Sequence, residues 1–404
     1  MNFSQQLIVL VGGKGTRLGE LTRATPKPLM TIDSDRVFLD YLLKAALRQG
    51  FREVLLLAGT FGEQLIERYG NRTIDGAAVH VIVEPKPMGT GGAFRHVFDH
   101  LAPTFVAVNG DTFFDISFRA LDHRLQERPG LLGALAVRRM PDAGRYGCLD
   151  IEDGRIAAFR EKDPAASGQA GLINGGVYAL RKDAIALLPP GPASIESDLF
   201  PAIARQGQLG AHTADGYFCD IGLPDTLSQA RADLPGRLRP ALFLDRDGVL
   251  NRDIGYLHRP EDLEWIDGAR EAVRVANERG WAVIVITNQA GVARGYYGEG
   301  DVARLHRHMQ EQLHAAGAFA DGFYHCPYHA DAVVERYRIA DHADRKPNPG
   351  MLLRAARDHG LDLKRSVLIG DQDSDMEAAR RAGVRPVRFP GGNLWNCVDE
   401  HAII

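Results

Sequence analysis

An apolar run, Leu7 to Val11, breaks abruptly into Gly12, Gly13, Lys14, Gly15, Thr16 and Arg17. Few folds accommodate that break. Glycines at the end of a strand let backbone N–H groups crowd an anion, and in open α/β sheets ligands sit beyond the carboxyl ends of the strands. Arg17 and Lys27 bracket the turn with positive charge in VLVGGKGTRLGELTRATPKP. A leaving group such as pyrophosphate needs fixed cations of this kind where negative charge gathers in the transition state. Downstream, apolar strand runs (Val54–Ala58, Val79–Val83) alternate with amphipathic helical runs (Phe38–Gln49, Glu63–Tyr69), the βαβ rhythm of a mainly parallel sheet covered on both faces.

Two carboxylates stand at strand ends in this half. Glu84 follows Val79–Val83; it would accept the adjacent N1–H and N2–H₂ donors of guanine, with Gly89 in PKPMGTGGA leaving room for the ring. Uracil and thymine also offer an N3–H, so guanine is favoured but the other bases stay open. Asp111 follows the buried run Phe105–Val108, where Mg²⁺ would neutralise phosphate oxygens during in-line attack.

GGKGTRL followed by TPKPLM resembles the signature of the sugar-1-phosphate nucleotidylyltransferases. The resemblance spans roughly residues 1–230 and implies that Gly12, Gly13, Gly15 and Thr16 hold the triphosphate. It implies further that Asp220, in an Asp-Ile-Gly-Xaa-Pro motif, is the second Mg²⁺ ligand. Glu161, Asn174 and Gly175 would line the sugar pocket, and Lys162 would bind the sugar phosphate. NGDTFFDI, RYG, EK, GLINGGVY and IESDLFP look closest to the members that make GDP-D-glycero-α-D-manno-heptose from the heptose 1-phosphate, with GTP as co-substrate.

Residues 1–233 form the first expected domain, and the Pro- and Gly-containing stretch 234–240 the linker. From 241 the chemistry changes. Ala241–Leu244 ends in Asp245, Arg246, Asp247: one carboxylate can attack phosphorus while its neighbour two residues on protonates the leaving alkoxide. Val283–Ile286 runs into Thr287, Asn288 and Gln289, a hydroxyl and two amides suited to a transferring phosphoryl group. Arg345 and Lys346 follow, the lysine placed to offset the charge of aspartate and phosphate together, and Val367–Ile369 ends at Asp371, a further Mg²⁺ carboxylate, with Asp375 nearby.

Order and spacing resemble the haloacid dehalogenase superfamily of phosphatases over about residues 241–390. The metal set then expected is Asp245, Asp247 and Asp371, with Asp245, Asp247, Thr287 and Lys346 catalytic and Asn288 and Arg345 binding substrate. FLDRDGVLN, TNQAGVARG and RKPNPGM look like the heptose 1,7-bisphosphate 7-phosphatases, although histidinol-phosphate phosphatases share nearly the same motifs. Such relatives often carry a structural zinc on Cys-x-His and Cys-x-Cys; here the positions read Cys326, Pro327, Tyr328, His329 and His342, Ala343, Asp344, so no zinc is expected.

At 404 residues the chain exceeds one compact core, and its second domain is expected over 241–404. A net charge of −4 without a basic block argues against nucleic acid, and no run is apolar or long enough to cross a bilayer. Four scattered cysteines indicate no disulfide framework. The expectation is therefore two Rossmann-like α/β domains in a cytoplasmic, bifunctional enzyme acting on small molecules with Mg²⁺ at both sites. The oligomeric state is left unassigned. Other sugars with GTP or UTP, and a regulatory protein on a silent transferase fold, remain alternatives.

Overall fold

The computed structural model describes residues 3–13, 16–144, 148–160 and 168–404. The chain divides into two units, Met1–Gly236 and Arg237–Ile404.

The first unit holds twelve named strands: β1 (Gln6–Leu10), β2 (Glu53–Ala58), β3 (Arg72–Ile74), β4 (Ala77–Val83), β5 (Thr104–Asn109), β6 (Thr112–Phe114), β7 (Gly133–Met140), β8 (Cys148–Glu152), β9 (Arg155–Arg160), β10 (Gly171–Arg181), β11 (Leu209–Thr213) and β12 (Phe218–Asp220). Ten of them form one sheet in the order β3-β4-β2-β1-β5-β10-β7-β11-β9-β8. β4, β2, β1 and β5 are parallel, as the alternation of strands and helices requires. Beyond β5 the sheet departs from that pattern, because β10 inserts antiparallel between β5 and β7. The pleat of β1 sends Leu7 and Val9 into the core on one face and Ile8 into the core on the other.

β6 and β12 leave the large sheet and pair with each other, antiparallel, with Thr112 opposite Asp220. This short ladder brings together segments that are far apart in sequence.

The second unit is a five-stranded, wholly parallel sheet in the order β15-β14-β13-β16-β17. Its strands are β13 (Ala241–Asp245), β14 (Ala282–Asn288), β15 (Gly322–Cys326), β16 (Val367–Gly370) and β17 (Arg385–Arg388). β13 lies at the centre, Leu242 and Leu244 facing one core and Ala241 and Phe243 the other. Being covered on both faces, β13 and β14 read as continuous apolar runs until their last residues, where the polar chemistry begins.

Between the units, the helix Pro224–Asp233 carries the chain through Arg231, and the division falls at Gly236–Arg237. Part of the polar stretch already belongs to the second unit. Arg239 donates its backbone N–H to Gly360, accepts one from Asp362, and pairs through Nη2 with Asp321 at 3.0 Å. Among the described residues, no helix is long and apolar enough to cross a membrane.

Candidate active sites

In the first unit a cavity of about 1090 Å³ opens where β1, β4 and β5 end. Gly12, Gly13, Lys27, Glu84, Gly89, Asn174, Asp111 and Asp220 all line it, so the structure gathers residues that the sequence spreads over two hundred positions. Gly12 is required by its neighbours: a Cβ there would lie 2.9 Å from Glu84 Oε1 and 3.3 Å from the backbone N of Gly59. Glu84 Oε2 accepts the N–H of Met88 at 2.8 Å. Burial pushes its carboxyl above the usual range, against the pull of that N–H. Gly89 has φ +71°, and a Cβ on it would come within 2.5 Å of Ala193 O. Glycine at 89 thus lets the backbone at Ala193 approach closely, and Gly91 and Gly92 donate to the same carbonyl.

Lys27 is buried and donates through Nζ to Asp111 Oδ2 at 2.9 Å. Asp111 immediately precedes β6 and Asp220 ends β12, so the pairing of these two strands brings both carboxylates to one wall. Asp220 Oδ1 accepts the N–H of Gly222 at 3.0 Å. Two carboxylates on one wall of a cavity offer the oxygen donors a hard dication takes.

Also lining the cavity, Asn109 and Asn174 each donate through Nδ2 to the buried Tyr178 hydroxyl at 3.1 Å. Gly175 does not line the cavity. It packs against Phe114, whose ring a Cβ would strike at 2.7 Å, while Gly176, φ +74°, takes the lining position. Sequence reasoning missed Glu196 and Thr90, both lining residues, joined by a 2.7 Å hydrogen bond from Thr90 Oγ1 to Glu196 Oε2. The motif IESDLFP was the available signal. Gly15, Glu161 and Lys162 lie outside the described residues, as do the side chains of Thr16 and Arg17.

In the second unit the site sits at the carboxyl ends of β13, β14 and β16. Asp245 is 7% exposed, and its Oδ1 lies 2.8 Å from Lys346 Nζ, which lies 2.7 Å from Asp375 Oδ1 on its other side. Burial, with Asp375 and Asp247 close by, raises the Asp245 carboxyl to about 7 against the pull of the Lys346 ammonium. Burial draws Lys346 down, but the two carboxylates outweigh it and the ammonium ends above an ordinary lysine.

Asp245, Asp371 and Asp375 form the one group of three or more potential ligands found among the described residues, with ligand atoms within 4.8 Å of one another. Asp371 Oδ1 is buried without a hydrogen-bond partner, which suits a Mg²⁺ held by carboxylate oxygens.

Asp375 is among these three side chains, and Asp247, expected in the metal set, is not. Its carboxylate is committed elsewhere, Oδ1 accepting from Asn251 Nδ2 at 3.0 Å and Oδ2 from Arg246 Nη2 at 2.9 Å and Gln289 Nε2 at 3.0 Å. Thr287 belongs to the same network, accepting from Gln289 at 2.8 Å.

Asn288 and Arg345, expected to bind substrate, also make contacts within the chain. Asn288 exchanges two 3.1 Å hydrogen bonds with the backbone of Lys346, and Arg345 donates to Tyr328 O at 3.0 Å. Both hold the lysine-bearing segment in place. Near the cysteine loop, Cys326 is buried, His342 stacks on Tyr328 at 3.9 Å, and Asp344 pairs with Arg354 at 2.6 Å.

A family model described as nucleotidyl transferase matches residues 6–236, and one described as HAD-hydrolase-like matches 343–393. The chain is 46% identical over 157 residues to a D-glycero-beta-D-manno-heptose-1,7-bisphosphate 7-phosphatase of Rhodopseudomonas palustris, covering 39% of this chain and 86% of the relative. It is 51% identical over 150 residues to a D-glycero-D-manno-heptose-1,7-bisphosphate 7-phosphatase of Thermosynechococcus vestitus, covering 36% and 76%. The crystal structure of HddC from Yersinia pseudotuberculosis superposes with a TM-score of 0.50 at 29% identity, covering 56% of this chain and 98% of that one; HddC has also been solved with GMP-PN. With its motif-bearing cavity and a model match over more than half its length, the chain belongs to the nucleotidyl transferase family, and it joins to that transferase a HAD-type phosphatase.

Proposed function

We propose that the second unit removes the 7-phosphate of a heptose 1,7-bisphosphate and that the first transfers GMP from GTP to the resulting heptose 1-phosphate, releasing pyrophosphate. The observation that carries this reading is the union in one chain of two strand-end sites. One resembles enzymes named for that phosphatase step, and the other resembles a protein crystallised with a guanine nucleotide analogue. Consecutive steps give the fusion a chemical rationale.

In the phosphatase, an Asp245 oxygen attacks phosphorus and the bond to the sugar oxygen breaks, Asp247 giving that oxygen its proton. Asp247, now a carboxylate, takes a proton from the water that attacks the aspartyl phosphate; inorganic phosphate leaves and Asp245 is restored. Lys346 offsets the charge of the nucleophile and the arriving phosphoryl oxygens. Asp245, Asp371 and Asp375 would hold Mg²⁺, which supplies charge neutralisation at the phosphoryl group.

In the transferase, Asp111 and Asp220 would hold the metal, and Lys27 and Arg17 would stabilise the departing pyrophosphate. Glu84 would read the base, and Asn174 with Glu161 the sugar hydroxyls, with Lys162 on the sugar phosphate. An oxygen of the sugar phosphate displaces pyrophosphate from the α-phosphorus.

The test offers each anomer of the heptose 1,7-bisphosphate, and histidinol phosphate beside it, with Mg²⁺ and each nucleoside triphosphate in turn, and measures phosphate, pyrophosphate and sugar nucleotide. Phosphate from the bisphosphate and pyrophosphate with GTP alone are expected. Preference for histidinol phosphate, or sugar nucleotide formed best with UTP, would overturn the reading.

A further inference from the structure

Among the buried, titratable side chains that the phosphatase mechanism leaves unused, one touches the catalytic loop. His306 lies on the helix Glu299–Ala315, which Gly298 opens by donating its N–H to Asp301 Oδ2 at 2.9 Å. The apolar positions of that helix, Val302, Leu305, Met309 and Leu313, recur at helical spacing and face the core, and His306 shares their burial at 7% exposure. A histidine among them has a specific partner. Its Nε2 lies 3.3 Å from Nη1 of Arg246, the fully buried residue between the two aspartates of the catalytic loop.

Arginine can only donate, so His306 Nε2 must accept and the ring must be neutral, with its proton on Nδ1. Burial, and then the Arg246 and His325 charges, drive its pKa well below the ordinary histidine value and keep it so. The ring plane is fixed independently by stacking on Phe323 at 4.8 Å.

Nη2 and Nε of the guanidinium are also committed. Nη2 donates to Leu257 O at 3.0 Å and to Asp247 Oδ2 at 2.9 Å, and Nε donates to Asp247 Oδ1 at 3.2 Å. With Nη1 pinned by His306 and Nη2 by Leu257 O, the planar fork has one orientation to present to Asp247.

The geometry points to His306 as a positioning residue that, through Arg246, holds the Asp247 carboxyl where it can protonate the leaving group. This rests on Asp247 being the general acid. Proton delivery falls off steeply with misalignment, and a sugar alkoxide, being a poor leaving group, depends on it. A nitrophenolate leaves without that proton.

The experiment compares kcat/KM for the heptose bisphosphate with kcat/KM for p-nitrophenyl phosphate, a ratio that reports the steps through loss of the leaving group. His306→Phe keeps the ring and the stack but removes the acceptor. It should lower kcat/KM for the sugar substrate by about tenfold or more and leave the aryl substrate within about twofold. His306→Gln, which returns an acceptor oxygen, should recover most of the loss. Arg246→Lys, which keeps the charge but loses the fork, should show the same selective defect and carries the test if His306→Phe does not fold.

Equal losses on both substrates, or no loss on either, would overturn the inference. Asp247→Asn separates the two failures. If it lacks the leaving-group dependence, the assignment of Asp247 as acid is at fault; if it shows the dependence and the His306 and Arg246 variants do not, the positioning role is.

Discussion

The two sites use the same device, carboxylates and a lysine at the ends of parallel strands, in opposite proportions. In the first unit Lys27 meets Asp111 on the wall of a cavity of about 1090 Å³ built from loops of many elements. In the second, Lys346 is wedged between two aspartates, 2.8 and 2.7 Å away, with almost no exposed surface. The difference follows the size of what reacts. Nucleotidyl transfer must align two large substrates, so the wall is spread out and lined by glycines. Phosphoryl transfer to an aspartate concerns one small group, so the charges can be packed tightly and tuned by burial.

The sharpest way to break the comparison is to remove the nucleophile of the compact site. Asp245→Asn should lower bisphosphate hydrolysis by about four orders of magnitude, whereas GDP-sugar formation from the monophosphate should continue at close to its normal rate. Loss of both activities would mean that the units depend on one another.

The reciprocal change, Asp111→Asn, should cost nucleotidyl transfer ~3 kcal/mol, about a hundredfold, and leave phosphate release unchanged. The loss should be smaller than at Asp245 because the open site keeps Asp220 and its cations. Pyrophosphate and phosphate assays on one preparation distinguish the outcomes.

Acid should also separate the sites. Asp245 is raised to about 7, so lowering the pH through that value protonates the nucleophile and phosphatase kcat/KM should fall, by about tenfold per unit at the limit. Saturating Mg²⁺ should move the midpoint lower, because it favours the carboxylate. A phosphatase profile flat from pH 8 to about 5 at low, fixed Mg²⁺ would contradict the burial argument.

The smallest effect is expected from packing. Gly89→Ala puts a Cβ where Ala193 O stands and strains a φ of +71°, so the first unit should lose roughly 1–3 kcal/mol while the melting transition of the second stays put. Calorimetry resolves the two.

Much of this was legible in the sequence because strand ends are. Asp111, Asp245, Thr287 and Asp371 each follow an apolar run, and the α/β architecture brings such ends to one edge of a sheet. What sequence did not yield are commitments between side chains. Asn288 and Arg345 read as substrate ligands in a motif, and nothing in that motif shows that they also bond the Lys346 backbone and Tyr328 O. Asp375 is placed by sequence only near the Asp371 carboxylate; its 2.7 Å pairing with Lys346 and its bond from the N–H of Gln372 come from tertiary packing. His306 reads as one of three histidines on an amphipathic helix, and only burial against Arg246 singles it out. The antiparallel entry of β10 was illegible for a different reason: strand polarity depends on the path of the connection and leaves no periodicity in the residues.

The small β6–β12 ladder has a consequence for how the protein is made. Asp111 emerges from the ribosome early, but its partner on β12 follows only after β7 to β11, so a growing chain lacks the paired carboxylates until nearly the whole first unit has been synthesised. Units fold in turn from the amino end, and the phosphatase begins only after that point. Each nascent molecule thus becomes competent for nucleotidyl transfer before it can hydrolyse a phosphate, the reverse of the order in which the proposed substrate would call on the two activities.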